Sequence, residues 1–274
     1  MAVEEVYLRP DDYELETLAR NIGDLPFWSG LLKRERPTRV LEIGCGCGRL
    51  TLPLARLGAE RGFSITGLEI EPAMLQRARE HARDESPATQ RALRLTQGDA
   101  RDLECAPRPR DGTAGAHPFD VILMPYGVAH HFISSDEQLS VWRGARRWLR
   151  AGGLLAVDVV APDLERLARG LGARTPRRRD LEVSHSGRTL SRTIATRYCA
   201  ASQVERLTFD YSIAEADGQR RDYRSAFAMR VYFPRELELL FHATGFSVER
   251  MLGSYAGEPY TAQAPLLLTL GRAI

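Results

Sequence analysis

The sequence predicts an α/β protein: a doubly wound, mostly parallel sheet with an antiparallel β segment inserted late in the chain. Three observations carry this. Short apolar runs alternate with amphipathic helical stretches from about residue 39 to residue 160. The first run ends in a glycine-rich turn, Glu42-Ile43-Gly44-Cys45-Gly46-Cys47-Gly48, that opens into a helical pattern. After Pro162 the period changes, and Leu207, Phe209, Tyr211 and Ile213 alternate with polar neighbours as in a half-buried strand. The 274 residues suffice for one sizeable core with an added subdomain.

The elements follow in order. Leu15, Leu18 and Ile22 share one helical face, Gly23-Asp24-Leu25-Pro26 breaks it, and Phe27, Trp28, Leu31 and Leu32 resume it, so residues 1–37 read as a helical cap. Strands are expected at Arg39–Ile43, Ser64–Glu69, Leu93–Gln97, Phe119–Met124 and Leu154–Val160. Between them fall helices at Arg49–Leu57, stopped by Gly58, at Pro72–Arg83 with proline in its first turn, and from the Ser134-Ser135 cap to about Leu149. Residues 105–118 read as an irregular connector. A short helix over Asp163–Leu171 precedes a basic loop and three alternating segments over about 185–233, turned at Asp217-Gly218. A helix over Arg235–Thr244, ended by Gly245, and strands at Phe246–Leu252 and Ala264–Leu270 complete the chain. The expected organisation is a cap at 1–37, a core from 38–172 and 234–274, and an insert at 173–233.

Composition narrows the function. A net charge of +2 favours no polyanionic partner. The run Arg174 to Arg179 reads as a solvated loop, because no aromatic residue is interleaved for base stacking. Cys45, Cys47, Cys105 and Cys199 lack paired or zinc-type spacing, so no metal is expected. No stretch approaches the roughly 20 apolar residues of a membrane span, and no N-terminal run resembles a signal peptide. A cytoplasmic protein with reduced thiols is expected, with no nucleic-acid or membrane partner.

The glycine turn carries the chemistry. Glycines at every second position let a ligand lie against bare backbone. The spacing differs from the G-x-G-x-x-G of dinucleotide sites, and a carboxylate, Glu42, precedes it. Glu42 suits a ligand with positive charge. Glu69, ending the second strand, stands where an acid accepts from ribose hydroxyls. Asp99, followed by Ala100, ends the third strand and could accept from an exocyclic purine amine. Together they describe a site for an adenosine joined to a cation.

These residues resemble the class I S-adenosylmethionine-dependent methyltransferases. The matching pieces are Leu41–Gly48, Gly67-Leu68-Glu69-Ile70-Glu71-Pro72-Ala73-Met74-Leu75, Gly98-Asp99-Ala100, Phe119-Asp120-Val121-Ile122 and Leu149–Leu155, in the family's order and spacing. The resemblance implies a seven-stranded Rossmann-like sheet and S-adenosylmethionine as methyl donor. It implies that Glu42 and the Gly44, Cys45, Gly46 and Gly48 backbone hold the methionine part. Glu69 would hold the ribose, Ile70 and Met74 would flank the adenine, and Asp99 and Ala100 would bind its edge. Cys47 replaces the common Thr or Ser.

The fourth strand's end, Met124-Pro125-Tyr126, is implied to face the methyl group. It lacks the Asn/Asp-Pro-Pro-aromatic signature of nucleic-acid amine methyltransferases. His130 and His131 follow, and a histidine there can take a proton from the acceptor. The insert is similar to the cap of small-molecule N- and O-methyltransferases, including amino-sugar N-methyltransferases, and implies a roofed acceptor site and a homodimer. Tyr126, Tyr223, Tyr232, Tyr255 and Tyr260 are then candidate acceptor contacts, and Tyr7, Tyr13 and Trp28 candidates to close over the donor. The reading is a methyltransferase acting on O or N of a small molecule, with natural-product biosynthesis as a setting. The alternatives are a non-catalytic S-adenosylmethionine-binding protein and a methyltransferase acting on protein or RNA.

Overall fold

The computed structural model describes residues 5–20, 22–102 and 119–274. The chain divides into two compact units, each drawn from two stretches: Gly23–Ala161 with Tyr232–Ile274, and Met1–Ile22 with Pro162–Val231. The connector expected at 105–118, with Cys105, lies outside the described residues.

The larger unit is the doubly wound sheet. Its strands are β1 (Arg39–Ile43), β2 (Ser64–Glu69), β3 (Leu93–Gln97), β4 (Phe119–Met124), β5 (Leu149–Val160), β10 (Phe246–Leu252) and β11 (Leu266–Ala273), in the order β10-β11-β5-β4-β1-β2-β3. β1 to β5 pair in parallel, and β11 lies antiparallel between β5 and β10. Alternate residues enter separate cores. Leu41, Ile122, Leu155 and Val157 pack with Trp142 of α6 (Ser135–Trp148) and Phe241 of α8 (Pro234–Ala243). Val40, Val121, Leu154 and Ala156 pack with Trp28 and Leu31 of α2 (Leu25–Glu35) and Leu54 of α3 (Thr51–Arg61). Burial on both faces explains the near-continuous apolar strands.

Helix ends follow their local chemistry. Ser134 and Glu137 form a reciprocal capping box at α6. α3 runs past Gly58, its expected stop, to Gly62 in the left-handed region at φ 83°. Gly58 is instead a close-approach residue: a Cβ there would sit 2.5 Å from the Phe63 carbonyl oxygen. A helix not expected from the sequence, α5 (Pro87–Ala92), precedes β3 and is capped by Ser86.

The smaller unit is a four-stranded antiparallel sheet, β6 (Arg178–His185), β7 (Arg188–Cys199), β8 (Val204–Ala214) and β9 (Arg220–Arg230), preceded by α7 (Leu164–Arg169). The basic run expected as loop thus enters a strand. One sheet face packs Leu190, Phe209, Tyr211, Ile213 and Phe227 against Val6 and Leu15, the latter from α1 (Pro10–Arg20). Buried Asp12 and Glu16 of α1 pair with Arg188, Arg221 and Arg192 of the sheet. These pairs divide the cap expected at 1–37: α1 belongs with the antiparallel sheet and α2 with the parallel one.

Candidate functional site

β1 ends in the glycine turn because its backbone needs a conformation that side chains resist. Gly44, Gly46 and Gly48 have φ of 74°, 55° and 84°. A Cβ on Gly44 would lie 2.1 Å from Val128 Cγ2, whereas one on Gly46 would meet only Met74 Cε, at 3.5 Å. The turn therefore packs at Gly44 and stays bare at Gly46. It is tied to β2 by the amides of Gly44 and Cys45, both donating to the Leu68 carbonyl, at 2.8 and 3.0 Å. Gly67 lets the Cys45 side chain in, since a Cβ there would stand 2.9 Å from Cys45 Sγ. Cys47 donates to the Met74 thioether at 3.6 Å.

Two buried carboxylates flank this turn. Glu69 accepts from the Gly46 amide at 2.9 Å and the Glu71 amide at 2.8 Å. Burial pushes its carboxyl above the usual range, against these backbone bonds. Glu42 is 2 % exposed and accepts from the Thr51 hydroxyl at 2.7 Å. Burial, with Asp24 and Glu69 adding to it, pushes its carboxyl up to about 8, despite Thr51 and the Arg49 guanidinium. Glu71 caps α4 (Pro72–Arg83) through the Ala73 amide, which places buried Met74 and half-exposed Ile70 beyond Glu69. Asp99 is gripped by Arg101, which also reaches Glu137. Burial works to raise the Asp99 carboxyl, but these bonds hold it below its ordinary value. Ala100 is buried beside it.

The segment after β4 is strained and braced. Met124 is buried, Tyr126 has φ 57° and Gly127 has φ 72°. Asp158 of β5 holds the bend: it accepts from the Gly127 amide at 2.8 Å and from the Tyr255 hydroxyl at 2.7 Å. Burial pushes the Asp158 carboxyl up to about 6. A short 3-10 turn, Val128–His131, follows. His130 Nε2 accepts from the Val160 amide at 3.0 Å, so that nitrogen carries no proton. Tyr232, expected at the acceptor, is fully buried and donates to the Ala129 carbonyl at 3.1 Å; it braces the turn from the core. His131 is half-exposed.

Trp28 is also fully buried. Its indole donates to Asp24 at 3.3 Å, and its ring lies 6.3 Å from that of Tyr255. Asp24 and Arg49 form a bidentate pair at 2.7 and 2.8 Å, with Arg49 over the Tyr126 ring. Tyr13 and Tyr223 belong to the smaller unit, Tyr13 edge-on to Tyr7 and Tyr223 stacked on Tyr211. Sequence reasoning missed Asp24, Arg49, Thr51 and Asp158. Asp158 alone carried a signal, as the one carboxylate inside the apolar run Leu154–Val160. Among the described residues, no group of three or more His, Cys, Asp or Glu could hold a metal.

Asp24, paired with Arg49, and Glu42, which feels the same guanidinium, are thus buried with Glu69 near the bare backbone of the glycine turn at the carboxyl ends of parallel strands. Residues 41–155 match the family model described as a methyltransferase domain. The sheet order and the acid-flanked glycine turn of the Rossmann-like core agree with that match. Over 235 residues it is 25 % identical to the cypemycin N-terminal methyltransferase of a Streptomyces species, covering 84 % of this chain and 81 % of that protein. Other curated relatives match over less than half of their own length. In fold it is similar to DesVI of Streptomyces venezuelae, with TM-score 0.71, 21 % identity, and 96 % and 98 % of the two chains covered. It is also similar to CalS10 of Micromonospora echinaspora, an amino pentose methyltransferase of calicheamicin biosynthesis, solved with S-adenosylmethionine bound. There the TM-score is 0.68, the identity 20 %, and 96 % of each chain is covered.

Proposed function

We propose that the protein transfers the methyl group of S-adenosylmethionine to a nitrogen or oxygen of a small-molecule acceptor, in natural-product biosynthesis. The observation that carries the donor assignment is the pair of buried acids, Glu42 and Glu69, flanking the glycine turn. Glu42 and Glu69 are buried on either side of bare backbone, their carboxyls raised by burial, and the one guanidinium nearby, Arg49, is already paired with Asp24, so ionised carboxylates there are costly without a cation. A sulfonium with an α-ammonium group supplies that charge. Glu42 and the Gly44, Cys45, Gly46 and Gly48 backbone hold the methionine part, with Met124 and Pro125 at the methyl end. Glu69 keeps lone pairs for the ribose hydroxyls beyond its two backbone bonds, Ile70 and Met74 flank the adenine, and Asp99 and Ala100 take its edge. The sulfonium supplies an activated carbon, so alignment accounts for much of the rate.

Proton removal from the acceptor falls to His131. His130 Nε2 is occupied by the Val160 amide, which makes His130 a positioning residue for the turn. Tyr126 and Tyr255 are the acceptor contacts, while Trp28 and Tyr232 hold the walls behind them. The small-molecule reading is supported by the likeness to CalS10, an amino pentose methyltransferase, and by the absence of the Asn/Asp-Pro-Pro-aromatic signature at Met124-Pro125-Tyr126, while the cypemycin N-terminal methyltransferase supports nitrogen as the acceptor atom. A cytoplasmic setting and a homodimer belong to the same reading. Calorimetry with S-adenosylhomocysteine, followed by mass spectrometry over a panel of amino sugars, peptide amines and phenols, tests it. Saturable binding with a product 14 Da heavier supports it. Binding without turnover favours a donor-binding module, and no binding overturns the donor assignment.

A further inference from the structure

The antiparallel sheet carries an arginine cluster that the donor site does not use. In the register of β7 and β8, Arg197 stands directly opposite Arg206. A third arginine, Arg174, comes from the segment before β6. That segment is laid along β7 by the Thr175 amide donating to the Thr196 carbonyl at 2.8 Å and the Gly172 amide donating to the Tyr198 carbonyl at 3.3 Å. Arg174 donates to the Thr208 hydroxyl at 2.9 Å. The three arginines, with Gly172, Ala173 and Thr208, line a cavity of about 340 Å³. No carboxylate is in that lining. The acid one step along the same face, Asp210, is already paired with both Arg177 and Arg224.

Like charges placed opposite one another on neighbouring strands destabilise a sheet. All three arginines are exposed, so apolar packing does not require them there. A multiply charged oxyanion between the guanidiniums reverses the sign of the interaction, because each fork offers paired donors to phosphate oxygens. The cavity size is at the lower end for small-ligand sites, roughly 300–1,000 Å³. No aromatic platform lies in the lining, as a single-stranded nucleic acid would use.

We propose that this cavity is an oxyanion site that takes a phosphoryl group, as inorganic phosphate or on a small phosphorylated metabolite, between Arg174, Arg197 and Arg206. The site lies wholly within the smaller unit and does not rest on the methyl-transfer reading. The test is the unfolding temperature of the full chain, titrated with inorganic phosphate at constant ionic strength. The wild-type protein shows a saturable rise. Arg206→Gln weakens half-saturation at least tenfold, yet in phosphate-free buffer it unfolds at the same temperature as wild type or higher, because the opposed charges are gone. Arg197→Gln behaves alike and serves if the first variant fails to fold. Equal half-saturation with methyl phosphate assigns the site to the phosphoryl group itself, and tighter binding of the ester assigns it to a metabolite; both support the proposal. A non-saturating rise, an equal response in the variants, or binding confined to RNA oligonucleotides with a steep salt dependence overturns it.

Discussion

Replacing Glu42 by Gln isolates the buried carboxylate that the donor's charge must meet. Burial holds Glu42 at about 8, against an ordinary 4.5. Below pH 4.5 the folded and unfolded chains both carry the proton, and burial of the group costs little. Above it the unfolded chain releases the proton while the folded chain keeps it, so stability falls as pH rises, until the folded group ionises near 8. At about 1.36 kcal/mol per pKa unit, the whole window is worth on the order of 5 kcal/mol. Binding of a cationic ligand runs the other way, since it favours the ionised carboxylate. At pH 7 about nine-tenths of a proton should leave Glu42 when the donor binds, and the donor Kd should tighten about eightfold from pH 6.5 to 7.5. Calorimetry in two buffers of different ionisation enthalpy counts the proton. Glu42→Gln should abolish that release, weaken the donor and flatten the fall of stability with pH, while also correcting for the donor's own titration. An unchanged proton count, with wild-type affinity, would refute the coupling between Glu42 and the donor's charge.

Three further outcomes are expected. Gly44→Ala should lower stability by about 1–3 kcal/mol in urea unfolding, through its clash with Val128 and its φ of 74°; Val128→Ala in the same chain should restore only part, because the backbone strain stays. Tyr255→Phe removes a donor from buried Asp158 and should cost about 1–3 kcal/mol, with a further rise of the Asp158 titration by carboxyl NMR. His131→Gln should lower kcat with the donor Kd unchanged, whereas His130→Ala should lower the unfolding temperature; the reverse assignment of the two effects would overturn the role given to His131.

The glycine turn was legible because its demand is local: three positive φ values within five residues leave few alternatives to glycine. The five parallel strands were legible because burial on both faces writes an apolar run. The partners of the site were not. Asp24 meets Arg49 across 25 residues, and Asp158 meets Tyr255 across 97, distances at which no period or motif speaks. β6 escaped notice because an edge strand favours charge over alternation, and Arg178-Arg179-Asp180 has the composition of a loop. The division of the N-terminal helices was hidden for a related reason. The acids of α1 answer arginines about 175 to 210 residues later.

The place of β11 has a consequence for biosynthesis. β11 lies between β5 and β10, yet it is made after every other strand of the sheet. Val160 leaves the ribosome about a hundred residues ahead of Leu266, which at roughly 5–20 residues per second is on the order of ten seconds. For that interval β5 presents an unpaired backbone edge, open to pairing with another chain. The edge of β5 is therefore the place where slower elongation lengthens exposure, a hazard that acts before the finished sheet exists.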